Sequence, residues 1–364
     1  MAIRDVASAL KNWALANRMI GDDEHLQPQV DQDLVRAVFG RVGVPAATRI
    51  LQGRGISYIG INELSDEIII FTKRKLNTRE QKMLQAAAYI SAGGKQRIGI
   101  SFEHSNFAHV GLNPQPPTVP PFTLHNKRYT CGSSIYIGSE KGAGTLACLL
   151  LGKDKKLYGL SNNHVSGGSN YANPGLPITA PGILDVAAGG KDPETLGHHR
   201  RAYPFIDGLP DVVNAEKNLD AAIFEIANED RVSSMQRSHY DTPTKCIPLE
   251  IDMDVEKVGR TTGKTSGKVI AELFDFEPVW YDVDVINGRK RIYFKSLFMI
   301  KADSDQYFSY SGDSGSLITA TDKDKNKSAV GIVVAGNEEK ITFALSLDRI
   351  LTYFDTTLVS GHNV

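Results

Sequence analysis

Tyr310-Ser-Gly-Asp-Ser-Gly-Ser-Leu-Ile318 is the stretch on which the reading of this chain turns. Gly312 and Gly315 flank Ser314, and glycine backbones reach conformations closed to other residues, so the serine can sit on a tight turn. Such a turn can aim the amides of Gly312 and Ser314 at one point, forming an oxyanion hole for a tetrahedral intermediate. The plain alternative is a Gly/Ser loop joining two strands. A serine hydroxyl is too weak an acid to attack an amide unaided: it needs a base, and the base needs an orienting carboxylate. Leu157-Tyr-Gly-Leu-Ser-Asn-Asn-His-Val165 puts His164 where an apolar strand runs into Ser166-Gly-Gly-Ser, and Asn218-Leu-Asp-Ala-Ala-Ile-Phe224 opens an apolar strand with Asp220. Taken singly, these read equally as a strand-end histidine and a turn aspartate. An acid directly before Ala-Ala-Ile is nevertheless expected to be partly buried and to need a hydrogen-bonding partner.

The surroundings of the three segments are β-rich. From Cys131 onward, short apolar runs alternate with Gly, Pro, Asn and Asp, at 144–151, 157–160, 219–226, 255–258, 268–273, 292–300, 317–319, 329–335 and 341–345, before a final helix near 347–354. Many strands with little helix imply a sandwich or barrels. The first hundred residues differ: helices are expected over 1–20, 29–39 and 78–91, the last after an Asn77/Thr78 cap, with strands at 56–62, 67–72 and 97–102. Asn113-Pro-Gln-Pro-Pro-Thr-Val-Pro-Pro121 is the proline-rich stretch between the two patterns. The expected organisation is an α+β domain over 1–112 of regulatory character, a linker over 113–128, and a barrel unit over 129–364, its first barrel about 129–230 and its second about 245–350.

Composition narrows the partners. With 41 basic and 42 acidic residues the formal charge is -1, so no global field draws the chain to nucleic acid or an anionic membrane. The cysteines, three in 364 residues, are too few for a disulfide framework and fit a reducing compartment. Asp5 and Lys11 interrupt any signal-peptide core, and no run approaches the roughly 18 to 20 apolar residues of a membrane-spanning helix, so a cytoplasmic location is expected.

In chain order and in local sequence, the His164, Asp220 and Ser314 segments resemble the trypsin-like serine peptidases of the chymotrypsin fold. Gly142-Ala-Gly-Thr145, Val258-Gly-Arg-Thr-Thr-Gly-Lys-Thr-Ser-Gly-Lys-Val269 and Ala329-Val-Gly-Ile-Val-Val-Ala-Gly336 extend the likeness, the second segment being similar to bacterial trypsin-like proteases and the plant narrow-leaf type. The resemblance covers about 130–350. It implies a mostly β fold of two antiparallel six-stranded barrels and a serine endopeptidase working through an acyl-enzyme, without metal or organic cofactor. It assigns His164 as base and later acid, Asp220 as orienter, Ser314 as nucleophile, and Gly312 with Ser314 as oxyanion donors. Phe308 falls at the floor of the specificity pocket, and Val334, Ala335 and Gly336 form the strand that pairs with substrate. With no acid at Phe308, cleavage after uncharged residues of small to medium size is implied. The resemblance implies a peptide or protein substrate as partner, and the separate first domain, which the resemblance does not cover, suggests a regulatory protein partner acting through it.

Two departures are local: Asn162 and Asn163 precede the histidine, and Ser316 stands where digestive relatives have glycine. A third is that no activation sequence supplies an amino terminus for Asp313 to pair with. The competing reading is a silent module that grips extended peptides on a sheet edge. Three other signals are set aside. Gly259-Arg-Thr-Thr-Gly-Lys-Thr265 lacks the phosphate loop's leading glycine and runs into a strand. Asp322-Lys-Asp-Lys-Asn326 lacks the glycine and glutamate of a calcium loop and reads as a hairpin tip. His198-His199-Arg200-Arg201 reads as a surface strand.

Overall fold

The apolar run Ile56–Asn62 is buried at every position, the pattern of a strand covered on both faces. In this computed structural model, which describes residues 2–20, 28–40, 42–85, 89–92, 96–111, 115–186, 192–283 and 286–364, that strand lies inside a larger sheet. It pairs antiparallel with Glu67–Thr72 on one side. On the other side Gly60 and Ile61 face Leu273 and Glu272 of strand Gly263–Leu273. Gln96–His104 extends the sheet outward, parallel to Glu67–Thr72. Ile59, Ile61, Ile68 and Ile70 pack with Val6, Leu10 and Trp13 of helix Ile3–Ala16. The opposite face, carrying Tyr58, Ile69 and Phe71, shares a second cluster with Ala271, Leu273, Val279 and Phe343.

The first expected helix is Ile3–Ala16 and the second Gln32–Phe39, started by the Asp31 carboxylate accepting from the amides of Asp33 and Leu34. A further helix, Val44–Arg54, lies between Gly43 and Gly55 and buries only Ala47 and Leu51, too thin a stripe to register as a period. Thr78–Gln85 begins with the expected cap, Asn77 Oδ1 accepting from the Glu80 amide at 2.9 Å. It does not continue to 91: Tyr89–Ala92 is a strand beside Gln96–His104, and 86–88 lie outside the described residues.

Six strands close into a barrel. Asp254–Gly259, Gly263–Leu273, Phe298–Ala302, Ile341–Ser346, Lys327–Gly336 and Leu317–Thr321 pair in that order, and the last returns to the first. The other expected barrel is a half-barrel, open among the described residues, in the order Thr356–Leu358, Cys148–Gly152, Leu157–Ser161, Ala222–Ile226, Glu194–Ala202, Pro177–Ala180, Ser134–Ile137, Gly144–Thr145. Its outermost strand comes from beyond the C-terminal helix Leu347–Phe354. The His198-His199 pair lies in Glu194–Ala202, and Asp322 to Asn326 join Leu317–Thr321 to Lys327–Gly336 as a hairpin tip.

The expected run 292–300 is divided between two strands, Gly288–Lys295 and Phe298–Ala302, and the first of them pairs with Phe276–Val283, which was not foreseen, as a hairpin between two strands of the closed barrel. Strand Ala108–Val110 lies parallel to Phe276–Val283 and meets the barrel where His109 pairs with Gly336. The separation of residues 1–112 from the barrels therefore fails as a packing boundary, because two of their strands enter the barrel's sheet and their side chains share its core. Nor is the proline-rich stretch a free linker, although 112–114 lie outside the described residues. The Gln115 amide donates to the Ser311 carbonyl at 3.1 Å and the Thr118 amide to Thr261 at 2.8 Å. The Arg237 guanidinium donates to the carbonyls of Pro120 and Pro121 at 2.7 and 3.2 Å.

Candidate active site

Leu157–Ser161 and Ala222–Ile226 are antiparallel neighbours, with Ser161 opposite Ala222, so the residues just beyond these ends meet at one edge of the half-barrel. After Ser161 the chain turns into the one-turn helix Asn163–Ser166, which carries His164. Asp220 lies just before the partner strand and is wholly buried. The His164 Nδ1 stands 2.6 Å from Asp220 Oδ2, and an ionised carboxylate only accepts, so the ring nitrogen is the donor. Asp220 Oδ1 accepts from the His164 amide at 3.2 Å. The two asparagines before the histidine brace this turn: Asn162 Nδ2 donates to the Asp220 carbonyl at 2.7 Å, and Asn163 Nδ2 to the Tyr203 carbonyl at 2.8 Å.

Ser314 comes from the closed barrel, on the turn before Leu317–Thr321. Gly312 takes φ 101° and Gly315 φ 89°, both left-handed, and a Cβ on Gly315 would lie 2.4 Å from Ser161 Oγ and from the Thr145 carbonyl. Thr145 clamps the turn from the half-barrel, its amide donating to the Ser314 carbonyl at 2.9 Å and its hydroxyl to the Gly312 carbonyl at 3.0 Å. The Ser311 carbonyl accepts from the Thr261 hydroxyl at 2.9 Å, while among the described residues the amides of Gly312 and Ser314 have no acceptor. The Ser314 hydroxyl donates to the Val334 carbonyl at 3.3 Å rather than to His164, and both residues line one cleft of about 540 Å³.

What fastens the turn was not legible beforehand. The Asp313 carboxylate, fully buried, accepts from the amides of Thr261 at 2.7 Å, Thr262 at 3.2 Å and Tyr310 at 3.0 Å, and from the Thr262 hydroxyl at 2.7 Å. It also pairs with the fully buried ammonium of Lys257 at 3.2 Å. Burial pushes the Lys257 amine below its usual range, and Asp313 pulls it partly back. Lys257 thus supplies the cation for which no amino terminus was foreseen. The Gly-Arg-Thr-Thr segment is strand, turn and strand, Gly259 pairing with Gly263. Its Arg260 forms a buried ion pair with Asp185, Nε to Oδ2 at 2.8 Å. Ser316 fits the turn through its hydroxyl, which donates to the Asp313 carbonyl at 2.6 Å.

The expected specificity residues divide. Phe308 is not at a pocket floor: it is buried with Val255, Val269, Ile300 and Ile318 in the barrel core, and its neighbours Tyr307 and Ser309 line the cleft instead. Ala335 and Gly336 line the cleft, whereas Val334 is buried and offers only its carbonyl. Gly336 is already paired with His109, so that part of the edge expected to pair with substrate is occupied by the chain's own residues. Phe107, His109 and Val110 line the same cleft. Tyr281 of strand Phe276–Val283 was also missed: its hydroxyl donates to Asp220 Oδ2 at 3.1 Å.

Residues 233–357 match the Nal1 C-terminal domain family. The chain is similar to Protein NARROW LEAF 1 of Oryza sativa subsp. japonica, 26% identical over 314 residues, covering 78% of this chain and 50% of that protein. It thus spans about half the length of this relative. Among solved structures, Thermobifida fusca protease A aligns with a TM-score of 0.42 at 15% identity, over 64% of this chain and 98% of that one. A glutamic acid specific serine protease aligns with a TM-score of 0.41 at 17% identity, over 63% and 100%. Nocardiopsis protease aligns with a TM-score of 0.40 at 17% identity, over 63% and 97%. The chain is mostly β, one closed six-stranded barrel beside a half-barrel, with trypsin-like serine proteases as its structural neighbours and Narrow leaf 1 as a relative in sequence.

Proposed function

We propose that this chain is a serine endopeptidase in which Ser314 is the nucleophile, His164 the general base and Asp220 its orienter. The observation that carries the reading is the 2.6 Å bond from His164 to the buried Asp220, with His164 lining a cleft that Ser314 and Gly312 also line and the amides of those two residues unengaged among the described residues. In this mechanism the Ser314 hydroxyl rotates from the Val334 carbonyl to His164 Nε2 and gives up its proton as Oγ attacks the peptide carbonyl. The resulting oxyanion is received by the Gly312 and Ser314 amides. The imidazolium then protonates the departing amine, leaving an acyl-serine, and water, deprotonated by the same histidine, releases the acid. Asp220 keeps Nδ1 protonated throughout. Among the described residues lining the cleft the acid is Glu338, exposed at the rim, which fits cleavage after uncharged side chains. Access is controlled by residues 105–111. They are fastened by Asn337 Nδ2 to the Ser105 hydroxyl at 2.8 Å and by the Asn106 amide to Glu339 at 3.1 Å.

The turned-away serine hydroxyl and the occupied Gly336 edge favour one other reading, a silent module. Labelling with a fluorophosphonate separates the two. The wild type should label, and Ser314→Ala and His164→Ala should each lose reactivity by several orders of magnitude with the fold intact. Retention of more than about a tenth of the labelling in Ser314→Ala would remove that residue from its role.

A further inference from the structure

We propose that Tyr281 is a positioning residue of this site: its phenol holds the Asp220 carboxylate, and its ring backs the His164 imidazole. The inference rests on the triad reading above and concerns a residue outside it. Asp220 Oδ2 accepts two bonds, from His164 Nδ1 at 2.6 Å and from the Tyr281 hydroxyl at 3.1 Å. Oδ1 accepts from the His164 amide. A carboxylate without solvent contact depends on such donors for its charge. Among the described residues, Tyr281 is the donor that reaches it from outside the half-barrel. The tyrosine is itself fully buried, and the Tyr281 and His164 ring centroids lie 5.7 Å apart at 59°. Phe205 closes the other side at 4.8 Å. Burial and the adjacent carboxylate push the Tyr281 hydroxyl well above its usual range, so it stays a donor.

The position of Tyr281 is fixed from two directions. Tyr281 lies opposite Lys290 in its hairpin and opposite Val110 of Ala108–Val110. That strand is in turn tied by Tyr58, whose hydroxyl accepts from the Ala108 amide at 2.6 Å and donates to the Pro278 carbonyl at 3.2 Å. Residues from the first hundred of the chain thereby set where the phenol meets the carboxylate. If Tyr281 only filled space, its hydroxyl would be dispensable; if it positions Asp220, the hydroxyl matters and the ring alone is not enough.

Tyr281→Phe keeps the ring and removes the donor. With its melting temperature and near-ultraviolet dichroism close to wild type, its fluorophosphonate labelling rate should fall at least tenfold, the scale of a lost hydrogen bond to a charged group. The acid limb of the pH–rate profile should move up, because a carboxylate freed of the phenol bears more fully on the imidazolium. The downfield proton resonance of His164 Nδ1–H should shift in the same variant, a readout that needs no turnover. 3-Fluorotyrosine at 281, a stronger donor of nearly the same shape, should move that resonance the other way and serves if Tyr281→Phe does not fold. An unchanged resonance in either variant, or an unchanged rate and pH limb in Tyr281→Phe, would overturn the assignment. An unreactive wild type with a responsive resonance would instead count against the peptidase reading alone.

Discussion

Asp313 stands one residue before Ser314, and its carboxylate is the fixed point around which the nucleophile's turn is wound. Four hydrogen bonds from three neighbouring residues and one buried ammonium converge on it. Removing one partner of a buried ion pair typically costs about 3 to 5 kcal/mol, because the other charge is left uncompensated. Lys257→Met should therefore lower unfolding free energy in urea by that amount, and fluorophosphonate labelling of Ser314 should fall with it. A variant that labels at the wild-type rate would show that the Thr261 and Thr262 donors alone hold the turn. A trace of Lys257 was present in Asp254-Val-Glu-Lys-Val-Gly259: Val255, Lys257 and Gly259 share one face of the strand, which puts a cation on the buried side. Tyr281 left no comparable trace. Its strand alternates, with Glu277, Val279, Tyr281 and Val283 buried, but an inward glutamate and an outward Trp280 blur the pattern.

That inward glutamate belongs to the contact between helix Ile3–Ala16 and the hairpin. Lys11 Nζ donates to the carbonyls of Phe274 at 3.2 Å and Phe276 at 3.0 Å and pairs with Glu277 Oε1 at 3.0 Å. Burial pushes the Glu277 carboxyl up to about 7, against the opposing pull of Lys11. The folded state therefore holds this proton in a range where the unfolded chain, near the usual 4.5, has released it. The contribution to stability is full below about 4.5 and is lost as pH rises through about 7. Melting temperatures recorded from pH 4.5 to 8 should show this decline in wild type and a shallower one in Glu277→Gln, which cannot titrate. Parallel curves would place the linkage elsewhere.

The largest consequence of the architecture is that strands preceding Gln115 share the barrel's sheet and core. Tyr58, Ile69, Phe71, Ala108 and Val110 belong to one core with Leu273, Val279, Tyr281 and Phe343. Fully burying one such side chain is worth roughly 1.5 to 3 kcal/mol, and a domain's net stability is only about 5 to 15 kcal/mol. A chain beginning at Gln115 should therefore be insoluble or molten, with weak near-ultraviolet dichroism and no phosphonate labelling. A soluble, cooperatively melting fragment would restore residues 1–112 to the standing of a separate domain.

Strand Ile56–Asn62, strand Glu67–Thr72 and the C-terminal helix were readable residue by residue, because propensity, periodicity and caps are local properties. Residue type, chain order and flanking glycines singled out His164, Asp220 and Ser314 beforehand, and the fold puts His164 against Asp220 and lines one cleft with His164 and Ser314. Sequence alone could not say which strands close a ring. Among the described residues the half-barrel stays open, and it takes its last strand from residues 356–358, a choice made by sheet pairing between distant segments. Nor could it say that Ala108–Val110 would lie against Gly336, that Lys257 would neutralise Asp313, or that Tyr281 would reach Asp220 from the hairpin strand Phe276–Val283. These contacts join residues far apart in the chain, and a hydrogen bond or ion pair across a core leaves no period in either partner's neighbourhood. Only the closed packing of the folded chain selects them.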